Sequence, residues 1–364
     1  MNFLIKQFKV LLSIIILFLI LDVTIGKYLY KKFIKKQLVD VDQSFGLRDD
    51  TYDHKFSKNY NSIIGWGNAR YKLCTDDNGF RIHCKKMNIN LKEFDIAFIG
   101  DSFTEGLGYD YENTFIGLIE NNLKEKKIAN LAMTSYSTSI YFSKINQLIK
   151  TGYKFNEVIV FLDISDFPDD ILCYSIKDNK VIRKKNYSNC YNNFNAKANL
   201  YSTFFEKNFK FTLFLVDSIY QNKKSKNKVF KDILNNSRSE WTYSYNKNNF
   251  KGLEFNKAIL VPLNNMAKLH ELLSENSIDL SVAVYPWPGT LKNDNVNNKQ
   301  VEIWKKFCLN RCKKFYNFMP ILFSKVDKNN FYSSYKDLFI INDVHFNSNG
   351  HRIIANEFLS QYKK

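Results

Sequence analysis

Residues 93–106 read EFDIAFIGDSFTEG, and this stretch decides the fold that the sequence predicts. The apolar run at 95–100 ends in a glycine, which is the pattern of a buried strand. Asp101 and Ser102 follow the glycine, and a helical pattern begins beyond them. The stretch therefore predicts a buried strand that turns into a helix, with Ser102 near the helix N-terminus.

Strand and helix patterns alternate from here to the C-terminus. Strands are predicted at 128–133, 157–163, 279–286 and 338–343 (the last a strand or an extended approach to the final loop), and helices at 114–127, 140–149, 264–276, 301–315 and 350–362. Such alternation favours an α/β fold of three layers, α/β/α, around a mostly parallel, flavodoxin-like sheet. Residues 91–364 would form this domain. An insertion at about 175–250 either covers a site or is a variable surface excursion.

The chain before residue 91 has a different character. Residues 10–21 are apolar apart from Ser13, and Lys6 and Lys9 precede them. The run is short for a spanning helix and suits a signal-peptide core. Because no small-residue cleavage site follows, we expect residues 1–26 to be an uncleaved signal anchor, a single transmembrane helix; a cleaved signal of a secreted protein and a buried core helix are the alternatives. Residues 27–90 are interpreted as a linker and a small hairpin region, with a DDNG turn at 76–79.

Two features bear on the compartment. Five lysines between 27 and 36 would place that side of the membrane helix in the cytoplasm. The six cysteines form three local pairs without metal-site spacing, which are Cys74/Cys84, Cys173/Cys190 and Cys308/Cys312. Three disulfides would suit an oxidising compartment, and six unrelated buried thiols are the alternative. The cysteines and the chemistry below favour a domain outside the cytoplasm.

The composition limits the kind of partner. The chain has 364 residues, 45% of them hydrophobic, enough for one large domain with an insertion or for two domains. The formal net charge is +17, but the lysines are scattered. Nucleic acid is not expected as a partner, because zinc-finger, helix-turn-helix and RNA-stacking motifs are missing from the sequence. Anionic lipid and acidic polysaccharide stay open as partners.

Polar residues follow two of the predicted strands. Ser102 is either a helix N-cap, as serine often is, or a nucleophile whose own N–H points at a developing oxyanion. Asp343 and His345 stand two apart in a loop before the last helix. A serine hydroxyl needs a base, and the base needs a group that fixes its tautomer. The three residues could supply all these roles if the fold brings them together.

Four other histidines compete with His345. His270 lies on an amphipathic helix and is expected to be structural, and His351 falls at the start of the last helix. His54 and His83 lie in the N-terminal region without a carboxylate at a strand end. His345 is therefore the candidate base.

These motifs together resemble those of the SGNH (GDSL-type) hydrolase family. GDSFTEG at 100–106 is similar to its first block, GDSxxxG, and DVHFNSNGH at 343–351 to its last, in the Asp-x-His form of acyltransferase-like members. NLAMTSYST at 130–138, FLDISDFPDD at 161–170 and VYPWP at 284–288 resemble intermediate segments. The resemblance covers residues 94–364 apart from the insertion. It implies a catalytic triad of Ser102, His345 and Asp343.

Two departures from the family pattern concern the oxyanion hole. The glycine of the second block aligns with Ser135, and the asparagine of the third block aligns with Ser165. The resemblance implies an oxyanion hole of Ser102, Ser135 and Ser165 with weakened donors. The acidic cluster Asp166, Asp169 and Asp170 is interpreted as a solvated loop at a helix N-terminus, because a metal site lacks supporting ligand spacing.

The expected activity is hydrolysis of an acyl ester without a cofactor. The resemblance to membrane-anchored and acyltransferase-like members makes a polysaccharide O-acetyltransferase of the cell envelope the first alternative. A non-catalytic, membrane-tethered protein that keeps the fold is the second, because the oxyanion blocks are altered.

Overall fold

The computed structural model describes residues 2–29, 45–67, 69–87, 90–184, 208–212, 215, 226–244, 250 and 252–363. The chain divides into two compact units, one of residues 1–41 and 191–230 and the other of residues 42–190 and 231–364. The strands and the candidate site belong to the second unit.

The described strands and helices alternate through most of this second unit. The strands are β1 (Gly46–Asp49), β2 (Asp53–Phe56), β3 (Asn61–Trp66), β4 (Ala69–Cys74), β5 (Glu93–Ile99), β6 (Ile128–Asn130), β7 (Lys154–Leu162), β8 (Tyr174–Lys177), β9 (Lys180–Arg183), β10 (Asp279–Val284) and β11 (Lys314–Asn317). The helices are α1 (Asn2–Val23), α2 (Ile25–Leu29), α3 (Ser102–Glu105), α4 (Phe115–Asn122), α5 (Thr138–Lys150), α6 (Asp166–Leu172), α7 (Lys226–Leu234), α8 (Phe255–Ala258), α9 (Leu260–Glu275), α10 (Pro288–Asn293), α11 (Lys299–Cys308), α12 (Met319–Phe323), α13 (Phe331–Leu338) and α14 (Ser348–Tyr362).

The central sheet has five parallel strands in the spatial order β6-β5-β7-β10-β11. Numbered along the chain this order is 2-1-3-4-5, which is the flavodoxin-like order. The predicted α/β class with a parallel sheet is confirmed. The order reverses between β5 and β7, and in such sheets ligands bind beyond the carboxyl ends of the strands at this switch point. Ser102 follows β5 at this point.

Helices pack against the sheet in pairs. Helix α4 packs on α14, and α5 packs on α9. Right-handed crossovers place these two pairs on opposite faces of the sheet. Aromatic rings fill the core between them: Phe161 of β7 lies 4.9 Å from Phe115 of α4 and 5.8 Å from Phe318, measured between ring centroids. Burial of each such ring contributes roughly 1.5–3 kcal/mol to stability.

Two predicted elements near the C-terminus are wrong. The helix predicted at 301–315 ends at Cys308, and the fifth strand is β11 at Lys314–Asn317. A strand at 338–343 is also wrong, because α13 ends at Leu338 and a loop follows, but the alternative of an extended approach to this loop holds for Phe339, which is extended and forms one antiparallel bridge with Phe346. A short apolar run fits a buried helix end as well as a strand, because burial alone makes both apolar.

The N-terminal part of the second unit consists of two hairpins, β1–β2 and β3–β4. After β4, residues 76–79 form a turn that pairs Thr75 with Arg81. The backbone N–H of Arg81 then donates to the carbonyl oxygen of Asn130 at 3.3 Å, beside the sheet edge. The described residues of 45–67 and 69–87 are therefore folded onto the α/β core.

The first unit contains the N-terminal helix. Asp22, near the end of this helix, is buried. Its carboxylate accepts hydrogen bonds from the backbone N–H groups of Phe211 and Thr212 at 2.6 and 2.8 Å. Among the described helices, none is long and apolar enough to cross a membrane. The anchor predicted for residues 1–26 has no support from this finding.

Disulfides join Cys74 to Cys84 and Cys308 to Cys312. Cys173 is also disulfide-bonded. Its predicted partner, Cys190, lies outside the described residues. The hypothesis of six unrelated thiols is therefore wrong for these five cysteines.

Candidate active site

The turn after β5 places Ser102, a buried residue, at the start of α3 without using its hydroxyl as the helix cap. Asp101 is the N-cap of α3, and its carboxylate accepts from the N–H of Phe103 at 2.9 Å. A side chain at Gly100 would meet the hydroxyl of Thr104 at 2.2 Å, so this close turn requires glycine. The helix-cap interpretation of Ser102 is thus wrong. Helix α3 has only four residues, so the dipole at its N-terminus is weak.

Three residues from opposite ends of the domain form one hydrogen-bonded chain. The Oγ of Ser102 lies 2.8 Å from Nε2 of His345, and Nδ1 of His345 lies 2.5 Å from Oδ1 of Asp343. The same Oδ1 accepts from the backbone N–H of His345 at 3.0 Å. Because the Asp343 carboxylate needs a proton from Nδ1, Nε2 is left to accept from the serine. This is the arrangement that a general base requires.

The loop that carries Asp343 and His345 is held by the Tyr335 hydroxyl and by a hydrogen bond within its backbone. The hydroxyl of Tyr335 in α13 donates to the carbonyl oxygen of Asp343 at 2.8 Å and accepts from its N–H at 2.9 Å. The N–H of Ile340 donates to the carbonyl oxygen of His345 at 2.9 Å. These bonds fix a tight loop in the segment that the sequence suggested as a strand.

Trp66 completes the site and was missed in the sequence. Its indole N–H donates to Oδ2 of Asp343 at 2.5 Å, and its ring lies edge-on to His345 with the centroids 5.4 Å apart. The carboxylate of Asp343 is therefore held on one oxygen by the base and on the other by the β3 strand. A lone tryptophan in a hairpin carries no sequence signal for this role.

Replacing Trp66 with phenylalanine should lower kcat/KM for an ester substrate about tenfold, because one hydrogen bond to a charged carboxylate is lost while the ring remains. Steady-state kinetics of the purified variant would measure the change. Trp304→Phe is the matched control, since Trp304 is buried in α11 outside the candidate site. A loss below twofold for Trp66→Phe would contradict the role.

The buried carboxyl of Asp101 lies beside the serine. Burial, reinforced by the nearby carboxylate of Asp163, raises the pKa of Asp101 well above its usual range. Oδ2 of Asp101 lies 3.2 Å from Oγ of Ser102. The Ser102 hydroxyl can therefore donate its one proton either to Oδ2 of Asp101 or to Nε2 of His345, and the contact with His345 is the shorter one, at 2.8 Å.

The pKa values of His345 and Asp343 shift in opposite directions. Burial acts to lower the pKa of His345, but the carboxylate of Asp343 outweighs it and raises this pKa above 6.5. Burial likewise acts to raise the pKa of Asp343, but His345 and the Trp66 indole outweigh it and lower this pKa. Such an ion pair stabilises an imidazolium that forms when the histidine accepts a proton.

The other two predicted oxyanion residues follow the strands on either side of β5. Ser135 lies in the loop after β6 with a φ of +69°, a left-handed conformation that favours glycine. Ser165 follows β7 as the N-cap residue of α6, and its backbone N–H donates to Oδ1 of Asp163 at 2.8 Å. The Ser165 hydroxyl is thus the only donor that this residue can offer an oxyanion.

The acidic cluster is buried, and the interpretation as a solvated loop is wrong. Asp170 accepts hydrogen bonds from Ser137, Thr138 and Ser139 at the N-terminus of α5. Asp166 accepts from Tyr141, and Asp169 pairs with Arg238. Within the described parts of the chain, no group of three His, Cys, Asp or Glu side chains could hold a metal ion.

The competing histidines have structural contacts. His351 is buried, and its Nδ1 accepts from the N–H of Phe115 at 3.2 Å. Burial and the charges of Arg81 and His345 lower its pKa to about 3, which makes it a neutral core residue. His83 caps a short 3-10 helix, and His270 contacts Ser274 in α9. His54 does have a carboxylate partner, Asp53 at 2.8 Å.

Aromatic rings form the floor of the site. The ring of Phe103 lies 4.7 Å from that of His345 and 5.0 Å from that of Tyr285. The indole N–H of Trp287 donates to Oδ2 of Asp163 at 2.7 Å. The VYPWP segment therefore packs beneath the serine and binds the neighbouring carboxylate.

The chain is similar to three solved structures, among others. One is the psychrotrophic esterase EstA from Pseudoalteromonas sp., with 9% identity, a TM-score of 0.38 and coverage of 75% of this chain and 97% of that chain. Another is a member of the lipolytic protein G-D-S-L family from Veillonella parvula, with 12% identity, a TM-score of 0.38 and coverage of 74% and 98%. The third is an acetylxylan esterase from Geobacillus stearothermophilus, with 11% identity, a TM-score of 0.34 and coverage of 75% and 95%. No protein-family model and no curated protein matches the sequence.

Proposed function

We propose that this chain is a serine-dependent ester hydrolase, with Ser102 as nucleophile, His345 as general base and Asp343 as the carboxylate that orients the base. One observation carries the proposal: the continuous chain of hydrogen bonds, 2.8 and 2.5 Å long, between a serine and a His–Asp pair 243 residues further along. The side chains of Ser102 and His345 are buried, and burial strengthens these hydrogen bonds because the local dielectric is low.

The reaction has two halves. His345 Nε2 takes the proton of Ser102 while Oγ attacks the ester carbonyl carbon, and the carbonyl oxygen becomes an oxyanion. The tetrahedral intermediate collapses, and the leaving alkoxide takes the proton back from His345. Water, deprotonated by the same histidine, then attacks the acyl-enzyme and releases the carboxylic acid and Ser102. The reaction needs no cofactor.

The oxyanion would be held by the backbone N–H groups of Ser102 and Ser135 with help from the Ser165 hydroxyl. A hydroxyl reaches less far than the amide of an asparagine. Loss of one oxyanion donor typically lowers the rate about 10²–10³-fold. A slow hydrolase is therefore the expected outcome, with turnover set by the quality of this donor set.

Labelling by a fluorophosphonate tests the proposal. The full-length chain, purified in mild detergent, should form a covalent adduct at Ser102, and Ser102→Ala should form none. An unlabelled wild type, or equal labelling of the variant, would leave the chain as a non-catalytic protein with this fold.

The acceptor of the acyl group can be decided on the active enzyme, which has not been treated with the fluorophosphonate. Release of acetyl from a nitrophenyl ester is followed with and without an acetyl-accepting oligosaccharide. Free acetate as the main product under both conditions supports hydrolysis. Transfer to the sugar hydroxyls would make the chain a polysaccharide O-acetyltransferase.

We also propose that the catalytic domain works outside the cytoplasm, with residues 1–26 as the export signal or anchor. The disulfides Cys74–Cys84 and Cys308–Cys312 support this location, because such bonds persist in oxidising compartments. A reporter enzyme that is active only outside the cytoplasm, fused after residue 364, should be active. Activity of a cytoplasm-specific reporter at this position would overturn the proposal.

The pH dependence follows from the raised pKa of His345. The base works in its neutral form, so kcat/KM should rise with pH through a pKa above 6.5. Removal of the Asp343 carboxylate takes away the charge that favours the imidazolium, so Asp343→Asn should move this pKa downward. A titration of the His345 ring by NMR would measure both values, independently of turnover. A higher pKa in the variant would contradict the assignment.

A further inference from the structure

His54 contacts the peptide between Thr134 and Ser135 at its carbonyl oxygen. Nε2 of His54 lies 2.8 Å from the carbonyl oxygen of Thr134. This peptide is trans, as are the described peptide bonds in general, so its carbonyl and its N–H point in opposite directions. The N–H belongs to Ser135, and it therefore points away from His54.

Both ring nitrogens of His54 face hydrogen-bond acceptors. Nε2 faces the Thr134 carbonyl, and Nδ1 lies 2.8 Å from Oδ2 of Asp53. A neutral imidazole has one N–H and could satisfy only one of these acceptors. An imidazolium has two ring N–H groups and could satisfy both acceptors at once.

Asp53 stays a carboxylate in this arrangement. Burial acts to raise its pKa, but hydrogen bonds and ion pairs with His54 and Arg183 outweigh it and lower the pKa strongly. Arg183 reaches both carboxylate oxygens at 2.7 and 2.8 Å, and Arg48 reaches Oδ1 at 2.6 Å. The backbone of Asp53 has a φ of +79°, a conformation that aspartate tolerates better than most residues.

Further bonds hold the residues on either side of Ser135. The N–H and hydroxyl of Thr134 donate to the carboxylate of Glu105 at 2.6 and 2.7 Å. The hydroxyl of Tyr136 donates to the carbonyl oxygen of His54 at 2.7 Å, and Lys144 donates to this hydroxyl at 3.1 Å. The left-handed Ser135 thus lies between two anchored neighbours. Backbone strain of this kind persists only where surrounding contacts hold it.

We propose that His54, as an imidazolium, is a positioning residue that fixes and polarises the Thr134–Ser135 peptide so that the Ser135 N–H serves the oxyanion. This inference rests on the proposed function. A cation at the carbonyl oxygen draws electron density through the peptide, which makes its N–H a stronger donor. The second-block serine can then supply the donor that a glycine supplies in the family pattern.

Two variants of His54 separate its hydrogen bond to the Thr134 carbonyl from its positive charge. In His54→Gln the side-chain amide can still donate to the Thr134 carbonyl, but it is neutral. In His54→Asn the side chain can reach Asp53 but is too short for Thr134. We expect kcat for a nitrophenyl ester to fall about 3–10-fold in His54→Gln and about 10–100-fold in His54→Asn, with KM within twofold of wild type. The rate of fluorophosphonate labelling should fall in the same order.

Three results would overturn the inference. One is an active wild type with kcat unchanged within twofold in folded His54→Asn. Another is a loss that follows the melting temperature, or a rise of KM at constant kcat, because either indicates a structural role only.

The third result concerns the wild type alone, so it remains available if a variant fails to fold. Nitrogen NMR of the His54 ring near pH 7 should detect two protonated nitrogens, and a single one would exclude the imidazolium. A wild type that is never labelled would overturn the proposed function instead, while this NMR result still reports on His54.

Discussion

Replacing Ser102 with alanine should lower kcat for an ester substrate by about 10⁴-fold or more, the largest effect that we expect from any single change. In the proposed mechanism the serine Oγ is the atom that bonds to the acyl carbon, so without it no acyl-enzyme forms. What remains is binding and oxyanion stabilisation, which in comparable triads retain a rate about 10³–10⁴-fold above that in water.

The matched control for Ser102→Ala is Ser324→Ala. Ser324 is exposed after α12, and its hydroxyl makes only a local bond to the carbonyl oxygen of Ile321 at 2.8 Å. The control should keep the wild-type kcat within twofold. Burst kinetics on a nitrophenyl ester would measure both variants, and a burst in Ser102→Ala would exclude this serine as the nucleophile.

Asp343→Asn should have the second largest effect, a loss of about 10³–10⁴-fold in kcat with little change in KM. The reason lies in Trp66, whose indole N–H donates to Oδ2 of Asp343. An asparagine would turn its amide oxygen toward this indole and its NH₂ toward Nδ1 of His345. The histidine would then carry its proton on Nε2 and could no longer accept the proton of Ser102.

This explanation predicts a specific coupling between Asp343 and Trp66. In the double variant Trp66→Phe with Asp343→Asn, the amide is free to turn its oxygen toward His345 and restore the correct tautomer. The double variant should therefore be about tenfold more active than Asp343→Asn alone, although each single change lowers the rate. Additive losses in the four-member cycle would show that the tautomer is not the cause.

The candidate nucleophile and its base could be predicted from the sequence because both follow local patterns. A strand that ends in glycine before Ser102, and an Asp-x-His pair in a loop before a helix, are each readable over about ten residues. The parallel sheet follows from the same alternation, since strand periodicity and helix periodicity differ. What these patterns could not decide was the end of the fold, where the apolar LFII run at 338–341 finishes a helix and enters a loop.

Trp66 and His54 illustrate what the sequence could not reveal. Both belong to hairpins in a region that the composition suggested was a linker and a small hairpin region, yet they bind Asp343 and the Thr134 carbonyl. Their partners lie 277 and 80 residues away along the chain. A hydrogen bond across such a distance leaves no periodicity, spacing or composition that a single sequence could display.

By itself, the sequence determined the α/β class, the position of Ser102 after a strand and the pairing of Asp343 with His345, because backbone geometry ties these features to neighbouring residues. Only the tertiary structure decided which oxygen of Asp343 faces His345 and how the Ser135 peptide is held. Those are properties of side-chain packing between distant segments, and packing is set by the whole fold rather than by any stretch of it.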